Sequence, residues 1–278
     1  MISKLVRFEA RSTFRLLVIV WAAMLAMAIL ISAVALITGG AGYQDVMHSS
    51  TPLHVIDKIV NTLMWILYIA LFVAQIVLTL AIVVLRFYRG LLGDEGYLMH
   101  TLPVNTRSLI TSKGIISTIA ILGSMIVGAV SISMIVLSFD PQALRMALED
   151  LAEAIKIEPL IILYIFEGLI AFLLSILAGV YQIYVSMAIG QMANRNRILI
   201  SLGTYIGIGF VMSMFGTILG VLAPLTGLDQ IIAEAVYNMN QHLIIQLVMI
   251  GVILSAAIPL VVFHIVTEKL LSRRLNLL

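Results

Sequence analysis

The sequence predicts an all-α integral membrane protein, and three observations support this prediction. Hydrophobic residues make up 62% of the 278 residues and charged residues only 11%, whereas soluble domains carry roughly 25% charged residues. The mean hydropathy is +1.15. The apolar residues fall into six long runs that are almost free of charge, and a helix needs about 20 apolar residues to cross about 30 Å of hydrocarbon. We therefore expect a single transmembrane domain, residues 1–278, with six spanning helices.

The six runs set the order of the predicted elements and leave only short connections between them. The predicted spans are residues 16–38, 59–85, 114–138, 159–192, 198–223 and 243–266. The first run follows a basic segment, as a signal peptide does, but its apolar core is too long and five further spans follow it. We therefore expect the first run to be kept as a span. The absence of cysteine excludes disulfides and thiolate metal ligands from this chain.

The basic residues predict the orientation of the spans, because short cytoplasmic loops carry an excess of lysine and arginine. With the N-terminus inside, only Lys58, Arg145 and Lys156 would lie outside. The other thirteen would lie inside: Lys4, Arg7, Arg11, Arg15, Arg86, Arg89, Arg107, Lys113, Arg195, Arg197, Lys269, Arg273 and Arg274. We expect a multi-pass protein of the bacterial plasma membrane with both termini in the cytoplasm. The net charge of +2 then reflects membrane topology, and nothing favours nucleic-acid binding.

Three segments outside the spans have the pattern of short helices at the membrane surface. Residues 1–15 place four basic residues on one helical stripe, which predicts an interfacial elbow helix, with an ordinary basic flank as the alternative. Residues 141–156 follow Asp140, an N-cap residue type, and repeat leucine and isoleucine on one face. Residues 227–240 follow a capping-box pattern, Thr226 with Asp229. The last two segments are predicted outer-face helices.

Signatures of catalysis are missing from the chain. A nucleotide-hydrolysing loop reads G-x-x-x-x-G-K-[ST], and the nearest text, residues 111–114, lacks its glycines. There is no H-E-x-x-H and no G-x-S-x-G, and no two of the five histidines are four residues apart. We expect a protein that is not an enzyme and that holds no catalytic residue, cofactor or metal of its own.

Glu167 is the one ionisable residue well inside a predicted span. A carboxylate in hydrocarbon costs a few kcal/mol or more, so it must face a cavity, find a partner or be protonated. One interpretation makes Glu167 a residue of a translocation pathway or gate. The other makes it a structural hydrogen-bonding group that bonds Tyr164 or a hydroxyl on a neighbouring helix.

The fifth span carries small residues at four-residue spacing, a pattern that lets helix backbones approach closely. Its glycines at such positions are Gly203, Gly207, Gly216 and Gly220. We expect them to mark helix packing or a dimer contact. The pattern does not say whether the contact lies within one chain or between two.

The polar segment between the second and third spans, residues 86–113, contains the text D-E-G-Y-L-M-H-T-L-P-V at residues 94–104. This text resembles the D-E-G-Y-L-x-x-T-L-P-V pattern found after the second span in ABC exporter permeases of the type-2 (ABC-2) architecture from Gram-positive bacteria. The basic N-terminal segment, the six spans and the outer helices are also similar, so the resemblance covers most of the chain.

The resemblance implies that residues 86–113 form a cytoplasmic coupling helix that docks on a separate ATPase. The residues that would contact the ATPase are Asp94, Glu95, Tyr97, Leu98, Leu102 and Pro103. Two permeases, identical or homologous, would assemble with two ATPase copies among membrane lipids, and ATP and magnesium would bind to the ATPase alone. The exported substrate would be hydrophobic or amphipathic, such as a peptide antibiotic or a lipid. The alternatives are a secondary transporter or channel that needs no ATPase, and a membrane-anchored interaction or sensor subunit.

Overall fold

The computed structural model describes residues 2–37, 52–92, 105–193, 195–227, 230, 237 and 239–273. These residues are helical almost throughout, and no strand occurs among them. The helices are α1 (Ile2–Ile37), α2 (Pro52–Phe87), α3 (Thr106–Phe139), α4 (Ala143–Ile157), α5 (Ile161–Gln191), α6 (Arg197–Leu225) and α7 (Gln241–Arg273). A π-helical turn, Tyr88–Leu92, extends α2. All but α4 contain a stretch that is long and apolar enough to cross a membrane, which confirms the predicted six-helix, all-α membrane fold.

The first helix differs from its predicted boundaries. Residues 1–15 were expected to form a separate interfacial elbow, but α1 runs from Ile2 to Ile37 without interruption. At about 1.5 Å per residue, its 36 residues exceed the length that a bilayer requires. The candidate span within α1 is Thr13–Ile37, so the basic residues before Thr13 lie on a helical extension of the span.

The described residues divide into two compact units. The first contains Met1–Arg86 and Ile115–Pro159, and the second contains Phe87–Gly114 and Leu160–Leu278. The chain therefore passes into the second unit at the end of α2 and leaves it near the beginning of α3. The segment between these two crossings is the one that resembles the exporter permeases.

The first unit has a polar cluster within its apolar core. The indole Nε1 of Trp21 donates to Ser124 Oγ at 3.0 Å, and Thr79 Oγ1 is 2.8 Å from the same oxygen. Gln75 donates to the carbonyl of Ser124 at 2.6 Å. These bonds join α1, α2 and α3. Because lipid tails are as apolar as leucine, packing and interhelical hydrogen bonds are what associate helices in a membrane, and this cluster supplies such bonds.

The helix α4 confirms the amphipathic helix predicted at residues 141–156. It begins at Ala143, two residues later than predicted, because the backbone N–H of Gln142 donates to Asp140 Oδ1 at 3.0 Å in the turn that precedes it. Arg145 and Glu149 form an ion pair at 2.7 Å on its surface, and no residue of α4 is buried. The second predicted outer helix, residues 227–240, lies largely outside the described residues. The hydroxyl of Thr226 donates back to Leu222 at 2.8 Å and so caps the end of α6.

The second unit is organised around α5, which packs against α6 and α7. Residue numbers rise in the same direction on both sides of the α5–α7 interface: Tyr164 contacts His242, Glu167 contacts Gln246 and Tyr181 contacts His264. The two helices are therefore parallel, as expected for the fourth and sixth of six consecutive spans.

The helices α5 and α6 form a close antiparallel pair joined by a short turn. Asn196, immediately before α6, adopts the left-handed conformation with φ of 57°, which asparagine tolerates better than most residues. Near the turn, a Cβ on Gly190 would lie 2.7 Å from the Arg197 carbonyl oxygen and 2.8 Å from the Ser201 backbone nitrogen. Only glycine allows the two backbones to come this close.

Candidate functional site

The predicted coupling segment is flanked on both sides by well-buried structure. The six residues predicted to contact an ATPase, Asp94, Glu95, Tyr97, Leu98, Leu102 and Pro103, lie outside the described residues. The π-helical turn ends at Leu92 and α3 begins at Thr106, where the carbonyl of Asn105 accepts from Ser108 N–H at 2.9 Å. The described part of the candidate site therefore consists of these two flanks and the residues that they contact.

The flank on the N-terminal side is held by an aromatic stack. The rings of Phe87 and Tyr184 lie 3.9 Å apart between centroids at an interplanar angle of 16°, and both side chains are fully buried. Gly90, Leu91 and Leu92 of the π-helical turn are buried as well. Single π-helical turns occur frequently at functional sites. The stack fixes the end of α2 to the C-terminal third of α5.

The flank on the C-terminal side contains a buried lysine. The side chain of Lys113 is 5% exposed, although a loop lysine on the cytoplasmic face was expected. Its Nζ occupies the space into which a Cβ on residue 90 would project, so Gly90 leaves room for the ammonium beside the π-helical turn. Lys113 thus brings the beginning of α3 into contact with the end of α2, and the two flanks of the coupling segment meet.

Tyr181 attaches the same flank to α5 and α7. A Cβ on Gly114, near the beginning of α3, would lie only 2.7 Å from the Tyr181 hydroxyl oxygen, so the Tyr181 side chain packs closely over this glycine. The Tyr181 ring meets His264 edge-on, with centroids 5.0 Å apart and an interplanar angle of 77°. The beginning of α3 is therefore packed against α5, and Tyr181 links it to α7.

Charged groups add a weaker link at the end of α7. Glu268 Oε2 lies 3.9 Å from Arg107 Nε and 4.0 Å from His264 Nε2. The Arg107 side chain is 71% exposed, and exposed ion pairs contribute about 0–1 kcal/mol. Packing, rather than charge, fastens the flanks. We call the packed residues the loop base: Phe87, Gly90, Lys113, Gly114, Tyr181 and Tyr184.

The loop base could not be assembled from the sequence. Lys113 was counted among the cytoplasmic charges, and Phe87, Tyr181 and Tyr184 were unremarkable aromatic residues in apolar runs. One available signal was the pairing of a glycine with each bulky partner, Gly90 with Lys113 and Gly114 with Tyr181. Those partners are too far apart in sequence for the pairing to be recognised without the fold.

Glu167 lies on the α5–α7 interface, at a distance along the helix from the loop base. Its Oε1 accepts a hydrogen bond from the Gln246 side-chain amide, and its Oε2 is buried without a hydrogen-bond partner among the described residues. One turn nearer the beginning of both helices, Tyr164 Oη lies 3.3 Å from His242 Nδ1. The partner of Glu167 is thus an amide on α7, where the sequence suggested Tyr164 or a hydroxyl.

Three of the four predicted packing glycines face open space as far as the structure describes the chain. A Cβ on Gly203, Gly207 or Gly216 would meet no atom within 4 Å. The surroundings of Gly220 lie outside the part of the chain that the structure describes. Gly209 instead faces α5, because its Cβ would lie 3.8 Å from Gln182 Nε2. A dimer contact at the first three glycines therefore stays a prediction, and packing against the described part of this chain does not explain them.

The chemistry of the described residues is that of packing and hydrogen bonding. No group of three histidine and carboxylate side chains that could hold a metal ion occurs within the described ranges. The interactions that stand out are the loop base and the Glu167–Gln246 pair. The loop base connects the two flanks of the predicted coupling segment to α5. The Glu167–Gln246 pair places an acid between α5 and α7.

Comparison with known proteins leaves the fold as the basis of classification. No family model matches this chain, and no curated protein and no solved structure is detectably similar to it. Six helices that are long and apolar enough to span a bilayer define the chain as a multi-pass, all-α membrane protein.

Proposed function

We propose that this chain is the membrane-spanning permease subunit of an ATP-driven ABC exporter that moves a hydrophobic or amphipathic substrate outward. A separate ATPase would bind residues 94–104 and hydrolyse ATP with magnesium. Two permeases and two ATPases would form the complex in a bacterial plasma membrane, with the loop on the cytoplasmic side.

The loop base is the observation that carries the proposal. A segment that only reverses chain direction needs a few residues and no anchoring. Here the two flanks of a twelve-residue segment, 93–104, are packed against α5 through the Phe87–Tyr184 stack and the Gly114–Tyr181 contact. Tyr181 in turn meets His264 of α7. Interiors are close-packed and transmit strain, so a force applied to this segment would reach both spanning helices. A docking element that drives transport requires such an arrangement.

The resemblance of residues 94–104 to the coupling text of type-2 exporter permeases supplies the ATP-driven part of the proposal. Asp94 and Glu95 suit a helix N-terminus, where the dipole favours negative charge. Tyr97, Leu98 and Leu102 provide an apolar face for a groove on a partner. Pro103 would end the element, because proline cannot continue a helix.

Glu167 favours a second candidate, a secondary transporter. Ionisable residues inside membranes mark ion or proton pathways in many transporters, and Glu167 lies between two spanning helices with one oxygen lacking a partner. The two candidates differ in energy source. Transport by purified chain in vesicles, driven by an ion gradient without ATPase or ATP, would favour the second.

The Tyr97→Asp and Leu98→Asp double variant is expected to lose ATPase association. Both substitutions place a charge on the predicted docking face, and a desolvated unpaired charge at an interface costs several kcal/mol. Co-expression of the permease with a genomically adjacent ATPase, followed by affinity purification, measures the association. We expect wild-type permease to retain the ATPase and the double variant to lose at least about nine-tenths of it, in keeping with a cost above about 1.4 kcal/mol.

A matched control for this experiment is the Leu148→Asp and Leu151→Asp double variant in α4. These leucines are 57% and 43% exposed and lie on the predicted outer face, away from any cytoplasmic ATPase. Membrane insertion and yield of both variants are compared with wild type. Normal ATPase retention by the Tyr97 and Leu98 variant would exclude residues 94–104 as the docking element.

A further inference from the structure

Glu167 has an incomplete set of partners for a carboxylate between spanning helices. The Gln246 amide donates to Oε1, while Oε2 is buried and accepts no hydrogen bond from any residue that the structure describes. Within the described residues, no lysine, arginine or histidine forms an ion pair with it; the ion pairs there involve Glu149 and Glu268. Leaving a buried acceptor unsatisfied is destabilising, and more so when the acceptor is charged. A hydrogen-bond donor would satisfy this oxygen, and a donor with positive charge would also offset the charge of the carboxylate.

The position of Glu167 suits the head of an amphipathic molecule. It lies about 13 Å from the midpoint of α5, at about 1.5 Å per residue. If α5 is centred in the bilayer, that distance is close to the edge of a hydrocarbon layer about 30 Å thick. A polar group bound here would sit at the boundary while an attached apolar chain extended into the hydrocarbon.

The surface around Glu167 suits such an apolar chain. Phe166, next to Glu167 on α5, and Leu243 and Leu247, close to Gln246 on α7, are each more than half exposed. They lie within three residues of the pair along their helices. A ligand with an alkyl or aromatic body could lie against these side chains, and an unbranched polar molecule would gain nothing from them.

We infer that Glu167 and Gln246 form a binding site for a primary ammonium group attached to an apolar chain. The ammonium would donate to Glu167 Oε2, and the Gln246 amide would keep the carboxylate oriented through Oε1. Charge-assisted hydrogen bonds of this kind are about twice as strong as neutral ones. The inference deepens the proposed function by naming the substrate class, a cationic amphipathic amine, and it depends on the proposed function only for the step from ligand to transported substrate.

The binding test uses full-length permease in phosphatidylcholine nanodiscs without any ATPase. Dodecylammonium is titrated by isothermal calorimetry, with empty nanodiscs subtracted for partitioning. Wild type should bind it saturably, and Glu167→Gln should bind it at least about tenfold more weakly because one charge-assisted bond is lost. Glu149→Gln is the matched control, since Glu149 is an exposed acid paired with Arg145 on α4. It should bind as wild type does.

Two further ligands with the same twelve-carbon chain test the contribution of the N–H groups and of the positive charge. Dodecyltrimethylammonium has the charge and the chain but no N–H, and should bind wild type at least about tenfold more weakly. Dodecanoate should show no saturable binding. Equal affinity of dodecylammonium for wild type and Glu167→Gln would overturn the inference, and so would equal affinity of wild type for dodecylammonium and its trimethyl analogue.

A second measurement on wild type guards against a variant that fails to fold. A hydrophobic carbodiimide adds to carboxyl groups in apolar surroundings, and mass spectrometry locates the adduct. Saturating dodecylammonium should slow labelling of Glu167 several-fold and leave labelling of Glu149 unchanged. Unchanged labelling of Glu167 would contradict the site independently of any substitution.

The ammonium could belong to a free amphipathic amine or to a lipid headgroup, and lipid composition distinguishes them. Replacing part of the phosphatidylcholine with phosphatidylethanolamine should weaken dodecylammonium binding to wild type if the headgroup occupies the site. Unchanged affinity would assign the site to free amines. Because no ATPase is present, loss of amine binding leaves the coupling proposal intact, and loss of ATPase association leaves this site intact.

Discussion

Phe87→Ala is expected to uncouple ATP hydrolysis from transport while ATPase binding continues. Phe87 is fully buried and stacks on Tyr184 at 3.9 Å. Truncating its side chain therefore opens a cavity between the end of α2 and α5. Deep aromatic truncations cost about 3–5 kcal/mol of free energy of unfolding in soluble proteins. We expect about 3 kcal/mol here, because surrounding lipid removes much of the hydrophobic contribution and leaves mainly the packing loss.

The expected readout is the amount of substrate transported per ATP hydrolysed. Residues 94–104 are unchanged in this variant, so association with the ATPase should persist and ATP turnover should continue. On the proposed coupling mechanism, transport per ATP should fall at least about tenfold, because Phe87 no longer ties the flank of residues 94–104 to α5. A tenfold effect corresponds to about 1.4 kcal/mol of lost coupling. The melting temperature of the purified permease reports the stability loss separately.

Two controls distinguish coupling from general damage. Tyr184→Phe keeps the ring that stacks on Phe87 and should remain coupled. Phe139→Ala removes a ring that stacks on Trp65 at 6.3 Å in the first unit and is 40% exposed, so it should change transport per ATP little. A Phe87→Ala permease that transports normally per ATP would show that the stack does not transmit force.

Gly190→Ala is expected to be the most destabilising glycine-to-alanine substitution among the positions that the structure describes. The added Cβ would lie 2.7 Å from the Arg197 carbonyl oxygen and 2.8 Å from the Ser201 backbone nitrogen. Both atoms belong to the first turn of α6, so the whole helix end must move to relieve the overlap. Overpacking of this kind costs about 1–3 kcal/mol, and occasionally more. A lower melting temperature and lower yield of folded permease should follow.

Gly207→Ala provides the matched control on the same pair of helices. Its Cβ would meet no atom within 4 Å, and alanine favours a helix over glycine by about 1 kcal/mol. The variant should therefore melt at or above the wild-type temperature as an isolated permease. Size-exclusion chromatography of Gly207→Leu then tests whether Gly207 contacts a second copy of this chain. Equal stability of Gly190→Ala and wild type would contradict the close approach of α5 and α6.

The sequence alone determined the class of protein and most of its helices. Six apolar runs predict six spanning helices because backbone polar groups in hydrocarbon must be satisfied within each segment. The helix at residues 143–157 was equally predictable, since its leucine spacing and its preceding acid are local features. These elements depend on neighbours within a few residues and on the solvent, and both can be read from composition and periodicity.

The tertiary structure alone decided which of these residues contact one another. Small residues recur along α6, yet Gly203, Gly207 and Gly216 face nothing in the described chain, while Gly190 on α5 makes the closest approach. Lys113 is buried beside Gly90 although its neighbours in sequence suggest a surface loop. Glu167 bonds an amide 79 residues away. Periodicity shows that a helix has faces, but the face that meets a given partner depends on how helices distant in sequence pack, which no local pattern encodes.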